Sequence, residues 1–434
     1  MLKITFKDRS YIYFDPISVK FFDSNKQLIR FNIHRDVDTD CSKFRNQVLQ
    51  HHHKNTKFKD PRNIRILLGH ACNFRCKYCQ QKHTKKELIT DQQLEILEKK
   101  ISDNLDLSIL ETVQYWGGEP LLYWDEIKKL YYFFKEVSPK TGTCIVTNGS
   151  LMNEEICNFI CSDDNFSIIL SHDGLGQSLR GPDPLSKNSN TLDYFKKLCE
   201  VKNKDPFFKN NYDQNFAVNP VLSNKIVDLK TLVEYYRSIF GRYVAIAESI
   251  PIIPTNPETS KYAFSDLNDY TEMIFSNLKE IGMMTFNNFK TQFDLFISKL
   301  QTDNFKISPT KAQCFTTDPR MLVFDIEGNI LPCQTFQASE ILENGDSCNC
   351  GNIGNMDNIN MPHVYGIGDK VKCQKCLVAS FCMGGCPYLI NKDTHDIDCK
   401  FKFAHYYGLF KYFLYVLLGK EIESFNETVV RPRK

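Results

Sequence analysis

The sequence has little that would direct a protein to a membrane, to nucleic acid or out of the cell. Its 434 residues carry a net charge of +2, which favours neither nucleic acid nor an anionic membrane surface as a partner. The most apolar stretch, residues 408–420, is too short to span a bilayer and contains Lys411. The opening residues, MLKITFKDRSYIYFDP, contain no apolar signal-peptide segment. We therefore expect a cytoplasmic protein with no membrane or nucleic-acid partner.

The sequence also lacks the setting of a disulfide scaffold. Such scaffolds belong to short secreted chains with a signal peptide. The seventeen cysteines are therefore expected to be reduced thiols in a reducing compartment low in oxygen, many of them metal ligands. Cys41, Cys144, Cys157, Cys161 and Cys199 fall in strand, helix or linker patterns, where the role of a small buried apolar side chain is expected.

Strand-like and helix-like patterns alternate through the middle of the chain. Six such units predict a parallel sheet built from βαβ units, and six are too few to close a TIM barrel of eight. The expected fold is α/β, a partial (β/α)6 TIM-like barrel with a small Cys-rich C-terminal domain and an N-terminal β-rich extension. The expected divisions are residues 1–60 (extension, a peptide-binding edge or a cap on the barrel), 61–250 (barrel), 251–310 (helical bridge), 311–400 (Cys-rich domain) and 401–434 (helix and tail).

Three cysteines follow the first predicted barrel strand in the segment GHACNFRCKYCQQKH, residues 69–83. Thiolates of Cys72, Cys76 and Cys79 could hold three irons of a [4Fe–4S] cube and leave the fourth iron open. Zinc could use the same thiolates, but it would need a fourth ligand or a bound water. The residues by themselves leave both metals possible.

With the aromatic Tyr78 before its third cysteine, this loop resembles the CxxxCx(aromatic)C loop of the radical S-adenosylmethionine (SAM) superfamily. In that superfamily the loop follows the first barrel strand, which matches its position here. The resemblance implies that the open iron of a [4Fe–4S] cluster chelates the methionine part of SAM. It also implies that one electron from this cluster cleaves SAM to a 5′-deoxyadenosyl radical.

Three more motifs lie at the ends of successive predicted strands: WGGEP at 116–120, TNG at 147–149 and SHDG at 171–174. Adjacent glycines let a backbone approach a ligand closely, although each motif alone would also suit a turn or a helix cap. Arg180 could pair with the SAM carboxylate or be a surface arginine. By resemblance, the residues that contact SAM are Tyr78, Gly117, Gly118, Glu119, Pro120, Asn148, Ser171, Asp173 and Arg180.

A second set of cysteines resembles the seven-cysteine SPASM extension of radical SAM barrels, which carries two auxiliary Fe–S clusters. The protein would then bind three [4Fe–4S] clusters in all. The resemblance assigns Cys314, Cys333 and Cys386 to the first auxiliary cluster, and Cys373, Cys376, Cys382 and Cys399 to the second. The fourth ligand of the first cluster is Cys348 or Cys350, or the site is open to substrate. Zinc ribbons would account for fewer of these cysteines.

A radical SAM barrel with a SPASM extension implies modification of a peptide or protein. We expect hydrogen abstraction from a residue of a ribosomally made precursor peptide, followed by an oxidative side-chain cross-link of the cyclophane or darobactin type. A new bond forms only when the substrate radical loses one more electron, and an auxiliary cluster is a plausible acceptor. The expected electron donor is a flavodoxin or ferredoxin.

Other reactions remain open from the sequence. They are epimerisation, sulfatase-type maturation, dehydrogenation of a small molecule, and non-catalytic electron transfer. Anaerobic sulfatase-maturating enzymes place an aspartate base after the second SPASM cysteine, where this chain has Gln334, so formylglycine formation is disfavoured. No acid or base is identified, since Tyr115 and Glu248 are as compatible with structural roles.

Overall fold

The computed structural model describes residues 1–31, 57–81, 83–203, 215–226, 228–247, 251–283, 285–302, 317–364, 367, 370–388 and 392–427. The predicted sites Cys314 and Glu248 lie outside these residues. So do Cys41 and most of the linker between the N-terminal strands and the barrel.

The N-terminal strands form an antiparallel sheet that includes a strand from the other end of the chain. Its strands are β1 (Leu2–Phe6), β2 (Tyr11–Asp15), β3 (Lys20–Phe22) and β11 (Ile422–Glu427), in the order β11-β1-β2-β3. Alternate side chains of β1 and β2 are buried, as expected for a sheet with one covered face. The sequence predicts only a helix and tail at 401–434, and the structure adds β11 after that helix.

A second sheet of seven parallel strands is the centre of the structure. Its strands are β4 (Asn63–Leu67), β5 (Thr112–Trp116), β6 (Gly142–Thr147), β7 (Phe166–Leu170), β8 (Phe216–Val218), β9 (Ala245–Ile246) and β10 (Met321–Asp325), in the order β10-β4-β5-β6-β7-β8-β9. The predicted α/β partial barrel is confirmed. The prediction of six strands is extended by β10, which comes from the Cys-rich segment and pairs with β4, Met321 opposite Asn63.

Helices cover the outside of the barrel. Between its strands lie α1 (Asp91–Asn104), α2 (Trp124–Val137), α3 (Glu154–Ser162), α4 (Leu192–Lys202) and α5 (Leu229–Phe240). Their starts follow local signals: Thr90, Asn153 and Asp228 each accept a backbone N–H of the first turn through the side chain. These caps help to fix where the chain leaves each strand and enters the next helix.

The remaining helices join the barrel to the N-terminal sheet. They are α6 (Pro257–Ser260), α7 (Leu267–Ile281), α8 (Asn287–Gln301), α9 (Ala379–Cys382) and α10 (Lys392–Leu418). The covered face of the sheet packs on α10 and α8 through ring contacts, such as Phe14 with Phe410 at 5.3 Å and Phe21 with Phe296 at 6.3 Å between centroids. Among the described residues, no helix is long and apolar enough to cross a membrane.

The two faces of the barrel strands differ in chemistry. Ile64, Ile66 and Tyr115 belong to the main apolar core with the helices, so the alternate positions of these strands face the barrel interior. Those positions are mixed in character. Arg65, Gln114 and Ser167 are polar, while Leu67, Met321 and Val323 form a small apolar cluster with Leu331. The barrel interior is therefore partly polar, and the Tyr115 ring is directed away from it.

Candidate active site

The first cysteine loop follows β4 and holds its three thiols within reach of one another. Cys72 and Cys76 are partly buried, Cys79 is exposed, and none is in a disulfide. Burial, with a smaller contribution from the neighbouring thiols Cys79 and Cys72, raises the pKa of the Cys76 thiol to about 11, while Arg180 acts in the opposite direction. The Phe74 backbone N–H donates to the Cys72 sulfur at 3.4 Å. Three clustered sulfur donors, one already accepting a backbone N–H, fit the thiolate ligation of a [4Fe–4S] cluster.

The glycines of WGGEP bring the end of β5 against this loop. The Gly118 N–H donates to the Gly69 carbonyl at 3.0 Å, and the Glu119 N–H donates to the Ala71 carbonyl at 2.9 Å. A Cβ added at Gly117 would lie 2.4 Å from the Gly69 oxygen, and one at Gly118 would lie 2.3 Å from the Ala71 oxygen. These glycines thus allow the residues after β5 to approach the backbone of Gly69 and Ala71 closely. Contact of Gly117, Gly118 and Pro120 with SAM stays a prediction.

Glu119 ties the ends of β5 and β6 together. Its carboxylate is 1% exposed and accepts from Thr147 Oγ1 at 2.6 Å, from the Asn148 backbone N–H at 2.7 Å and from the Leu121 N–H at 3.0 Å. Burial raises the pKa of Glu119, while these three hydrogen bonds act in the opposite direction. The side chain holds the TNG turn beside the cysteine loop.

Asn148 continues this connection from the TNG turn to the cysteine loop. Its Nδ2 donates to Asn73 Oδ1 at 2.9 Å, and Asn73 Nδ2 donates to Ser150 Oγ at 2.8 Å. Asn148 Oδ1 accepts from the Ser150 backbone N–H at 3.0 Å. The end of β6 is therefore fixed against the loop next to Cys72.

The end of β7 carries a buried ion pair beside the cysteine loop. Asp173 is fully buried; its Oδ1 accepts from Arg180 Nε at 2.8 Å and from the Val221 N–H at 2.9 Å, and its Oδ2 accepts from the Tyr78 hydroxyl. Burial raises the pKa of Tyr78, so the phenol stays protonated and donates. Burial alone would lower the pKa of Arg180, but the carboxylate of Asp173 more than offsets it.

Arg180 is therefore a buried side chain, 10% exposed, and not a surface arginine. Its guanidinium also donates to the Asn219 carbonyl at 3.3 Å, after β8. The structure thus brings four predicted residues, Tyr78, Asp173, Arg180 and the nearby Cys76, to one place. Their contact with SAM, and that of Ser171, stays a prediction.

Two residues at this site were missed by the sequence analysis. His172, fully buried, accepts from the Gly174 N–H at Nδ1 (3.0 Å) and lies 2.9 Å from Asp183 Oδ1 at Nε2. Because Nδ1 accepts, Nε2 carries the proton and donates to Asp183. A histidine in a strand-end motif was the available signal, but its acidic partner lies in a loop with no motif.

A polar cluster inside the barrel was also missed. Arg65 donates from Nε to Gln114 Oε1 and from NH1 to Gln334 Oε1, both at 2.9 Å. Trp116 Nε1 donates to the same Gln114 oxygen at 3.1 Å, and Cys333 Sγ lies 3.6 Å from Gln334 Oε1. The cluster thus runs from the barrel strands to a predicted ligand of an auxiliary cluster. A charged residue in the apolar strand IRILL was the signal for it.

The Cys-rich segment brings together the four cysteines assigned to the second auxiliary cluster. Cys373 lies within a short 3-10 turn, Cys376 directly follows that turn, Cys382 ends α9, and Cys399 lies in α10. Their thiols are near enough to raise one another's pKa: Cys376 to about 11 and Cys382 to about 12, in both cases chiefly through burial. Four gathered thiols fit the ligation of a [4Fe–4S] cluster.

Two buried or partly buried cations accompany these thiols. Lys402 Nζ pairs with Asp398 Oδ2 at 2.9 Å, with side chains 6% and 3% exposed, and Lys370 Nζ donates to the Gly384 carbonyl at 2.7 Å. Positive charge at this place favours thiolate over thiol. Within the described ranges, no group of three or more His, Cys, Asp or Glu side chains is arranged around the position of a single metal ion.

Comparison with known proteins agrees with this geometry. Residues 66–201 match the Radical SAM superfamily. The chain carries a radical SAM domain. This match confirms the prediction made from the CxxxCx(aromatic)C loop for residues 66–201. The superfamily implies one [4Fe–4S] cluster and SAM at this site, and the loop described above provides suitable donors.

Two curated relatives share sequence with the chain. The radical SAM cyclopropyl synthase TigE of Paramaledivibacter caminithermalis is 26% identical over an alignment covering 67% of this chain and 66% of that protein. The chain therefore spans just under two thirds of the length of TigE. The GTP 3',8-cyclase of Chlorobaculum tepidum is 32% identical over 21% of this chain and 27% of that protein. The second match is confined to a short part of the chain.

A solved structure shares the fold of the radical SAM domain and its surroundings. The structure of anSMEcpe with bound AdoMet and Cp18Cys peptide matches with a TM-score of 0.57 and 18% identity, covering 82% of this chain and 98% of that one. At this identity the likeness concerns the fold. The coverage exceeds that of the radical SAM domain, so the shared fold extends beyond residues 66–201.

Proposed function

We propose that this radical SAM enzyme abstracts hydrogen from a residue of a ribosomally made precursor peptide and oxidatively forms a side-chain cross-link. One observation carries the proposal. The Arg65–Gln334 cluster links the barrel interior to Cys333, so a substrate in the barrel would lie between the SAM site and a Cys-rich segment. That arrangement suits a reaction that starts by making a radical and ends by removing an electron.

The cofactors of this proposal have donors in the chain. Cys72, Cys76 and Cys79 would hold the SAM-binding cluster, and the cysteines of the Cys-rich segment would hold two auxiliary clusters. When bound, the first cluster supplies the electron that cleaves SAM to a 5′-deoxyadenosyl radical, and the auxiliary clusters supply an acceptor for the electron that bond formation releases. A flavodoxin or ferredoxin is the proposed external donor.

The chain's own residues would hold the substrate and keep water from it. The polar and small interior positions leave room for peptide side chains, and the amide groups of Gln114 and Gln334 hold the Arg65 guanidinium in one orientation. Arg65 and Trp116 stack at 5.4 Å, which adds a rigid wall to this surface. Balance requires that two hydrogens leave the substrate: one as an atom to the deoxyadenosyl radical, and one as a proton accompanied by an electron.

A ring closure within one residue is a second candidate. It is favoured by the relative TigE, whose name describes a cyclopropyl synthase, and it removes the same two hydrogens. Formylglycine formation is disfavoured, because Gln334 is an amide that accepts a hydrogen bond from Arg65 and is not a base at neutral pH. The named peptide in the anSMEcpe structure adds that this fold accommodates a peptide.

The test is anaerobic co-expression with short peptides encoded beside the gene, followed by intact mass and fragmentation. A peptide mass lower by two hydrogens, with no fragment ions from backbone cleavage between two particular residues, supports a cross-link between those residues. The same loss confined to one aliphatic residue supports ring closure, and on a serine or cysteine it indicates formylglycine. Unchanged mass with deuterium uptake from heavy water indicates epimerisation. A protein that forms no 5′-deoxyadenosine under reduction would be an electron carrier, contrary to the proposal.

A further inference from the structure

Three cysteines of the Cys-rich segment pack in one small apolar cluster, separate from the main core. The cluster contains Leu342, Cys348 and Tyr388 as buried members, with Cys333, Phe336 and Cys386 partly buried against them. Cys348 is fully buried. Cys333 and Cys386 are the two described residues that the sequence assigned to the first auxiliary cluster, so Cys348 lies among the ligands of that cluster.

A short hairpin carries Cys348 into this position. The Cys348 N–H donates to the Glu340 carbonyl at 3.0 Å, and the Leu342 N–H donates to the Asp346 carbonyl at 2.8 Å. Ile341 and Ser347 form an antiparallel bridge between the two arms. Ile341 is 71% exposed, so the hairpin directs Ile341 outward and buries Cys348.

The segments that bear the other two thiols are tied to each other. The Tyr388 hydroxyl, two residues after Cys386, donates to the Pro332 carbonyl at 3.5 Å. The rings of Phe336 and Tyr388 meet edge to face at 6.0 Å. These contacts tie the segment of Cys333 to the segment of Cys386.

Cys350, two residues further on, has different surroundings. It belongs to the main apolar core, its N–H donates to the Ile330 carbonyl at 2.8 Å, and its carbonyl accepts from the Asn360 N–H at 2.8 Å. Its Sγ lies 3.7 Å from the carbonyl of Cys348. Cys350 is thus a small apolar side chain of the core, as expected for a buried structural cysteine.

We propose that Cys348 is a ligand of the first auxiliary cluster together with Cys333 and Cys386, and that Cys350 is not. The inference rests on the proposed function, because it presumes that auxiliary clusters are present. It resolves the alternatives that the sequence left open. A thiolate from Cys348 occupies a coordination position that the sequence left open to substrate, which favours electron uptake over peptide binding as the role of this cluster.

The test compares Cys348→Ala with the matched control Cys350→Ala in the full chain. Both are made in a Cys72→Ala/Cys76→Ala/Cys79→Ala background, so that only auxiliary clusters contribute to the iron content and the EPR spectrum after anaerobic reconstitution. We expect the C348A variant to lose up to about four irons per chain or to show a three-iron signal on oxidation. The C350A variant should match its background.

Two further variants keep the result decisive. Cys386→Ala is the positive control and should reproduce the loss seen with C348A. Cys348→Ser preserves size, so it should keep the fold by circular dichroism while changing the EPR spectrum. Unchanged iron and spectra in both Cys348 variants, or a loss in C350A instead, would overturn the ligand assignment. A background protein that binds no auxiliary cluster would overturn the proposed function itself.

Discussion

The mouth of the barrel consists of the residues that follow β5, β6, β7 and β8, together with the cysteine loop beside them. It is built differently from the Cys-rich segment. At the mouth, Glu119 and Asp173 are buried carboxylates whose oxygens accept hydrogen bonds from three protein groups each. These bonds link the ends of four neighbouring strands to the cysteine loop. In the Cys-rich segment, thiols are carried by a 3-10 turn, a four-residue helix, a hairpin and, for Cys399, the long helix α10.

The difference concerns what holds each site in shape. The barrel mouth is organised by hydrogen bonds within the protein, which contribute to its geometry independently of a bound cluster. The Cys-rich segment has short elements and gathered thiols, so bound metal would contribute directly to its folding. The same ligand type is therefore expected to have a mainly chemical role at one site and a structural role as well at the other.

The largest expected effect comes from removing one cysteine at each site. Cys76→Ala should reduce 5′-deoxyadenosine formation to the level of a sample without protein, because the loop then lacks one of its three thiolates, while resistance to proteolysis is kept. Cys382→Ala should open the Cys-rich segment to proteolysis. Liquid chromatography and limited proteolysis measure the two effects, and equal sensitivity of both variants would contradict the comparison.

A smaller effect is expected at the buried pair next to the C-terminal thiols. Lys402→Met leaves the Asp398 carboxylate buried without its cation and should lower the free energy of unfolding by about 3–5 kcal/mol. The double variant Asp398→Asn/Lys402→Met should recover most of this loss. Urea unfolding under anaerobic conditions measures both, and a double variant no more stable than K402M would show that the pair acts through something other than charge.

Glu119→Gln tests the barrel mouth. The amide places an N–H₂ group where two backbone N–H groups and a hydroxyl now donate, which should cost about 1–3 kcal/mol of unfolding free energy. Because the Glu119 backbone N–H also holds the cysteine loop through the Ala71 carbonyl, SAM cleavage should fall as well. Glu98→Gln, on the outside of α1, is the control. Full activity and stability in E119Q would remove Glu119 from this role.

The smallest effect is a pH dependence at the helix that carries Cys399. Burial lowers the pKa of His405 to about 3, and its Nδ1 lies 2.7 Å from the Tyr270 hydroxyl of α7. Since the unfolded chain has a pKa near 6.5, it binds a proton below that pH that the folded chain does not. Stability is therefore present above pH ~6.5 and falls as the pH drops, by about 1.4 kcal/mol between pH ~7.5 and ~5.5.

His405→Asn should flatten this slope while keeping an acceptor for Tyr270. The matched control Tyr270→Phe removes the hydrogen bond and should leave the slope in place. Urea unfolding at the two pH values, with the metal content checked at each, measures the difference. A slope unchanged in H405N would assign the pH dependence to another group and weaken the view that the core anchors this helix.

Much of the barrel was predictable because its signals are local. Each strand is a short apolar run followed by a polar motif, and each of these runs became a strand of the parallel sheet. The run MLVFD carries the same signal, but it lies inside the cysteine pattern and was assigned to the Cys-rich domain. Its pairing with β4 joins residues more than 250 positions apart, and no local sequence pattern predicts such a pairing.

The roles of the predicted site residues depended on partners far along the chain. GGEP was correctly located at a strand end, yet the structure places its glycines against the carbonyls of Gly69 and Ala71. Arg180 is a buried partner of Asp173 because the residues that follow β7 and β8 meet the cysteine loop at the same end of the barrel. The spacing of the cysteines does not distinguish Cys348 from Cys350. They differ in packing, since Cys348 lies in the small cluster with Cys333 and Cys386 and Cys350 lies in the main core, and such packing is a tertiary feature.

The sequence alone determined the chemistry: the number and spacing of the thiols, the strand-end motifs and the alternation that makes a parallel barrel. These are properties of residues that are close in sequence, so they can be predicted without knowledge of the fold. The tertiary structure alone decided which thiols lie close together and which buried carboxylates accept several hydrogen bonds. It also decided that the side chains of Arg65 and Gln334 meet inside the barrel. Such contacts arise when strand ends converge and exclude water, because only then do burial and hydrogen bonding select partners that are distant in sequence.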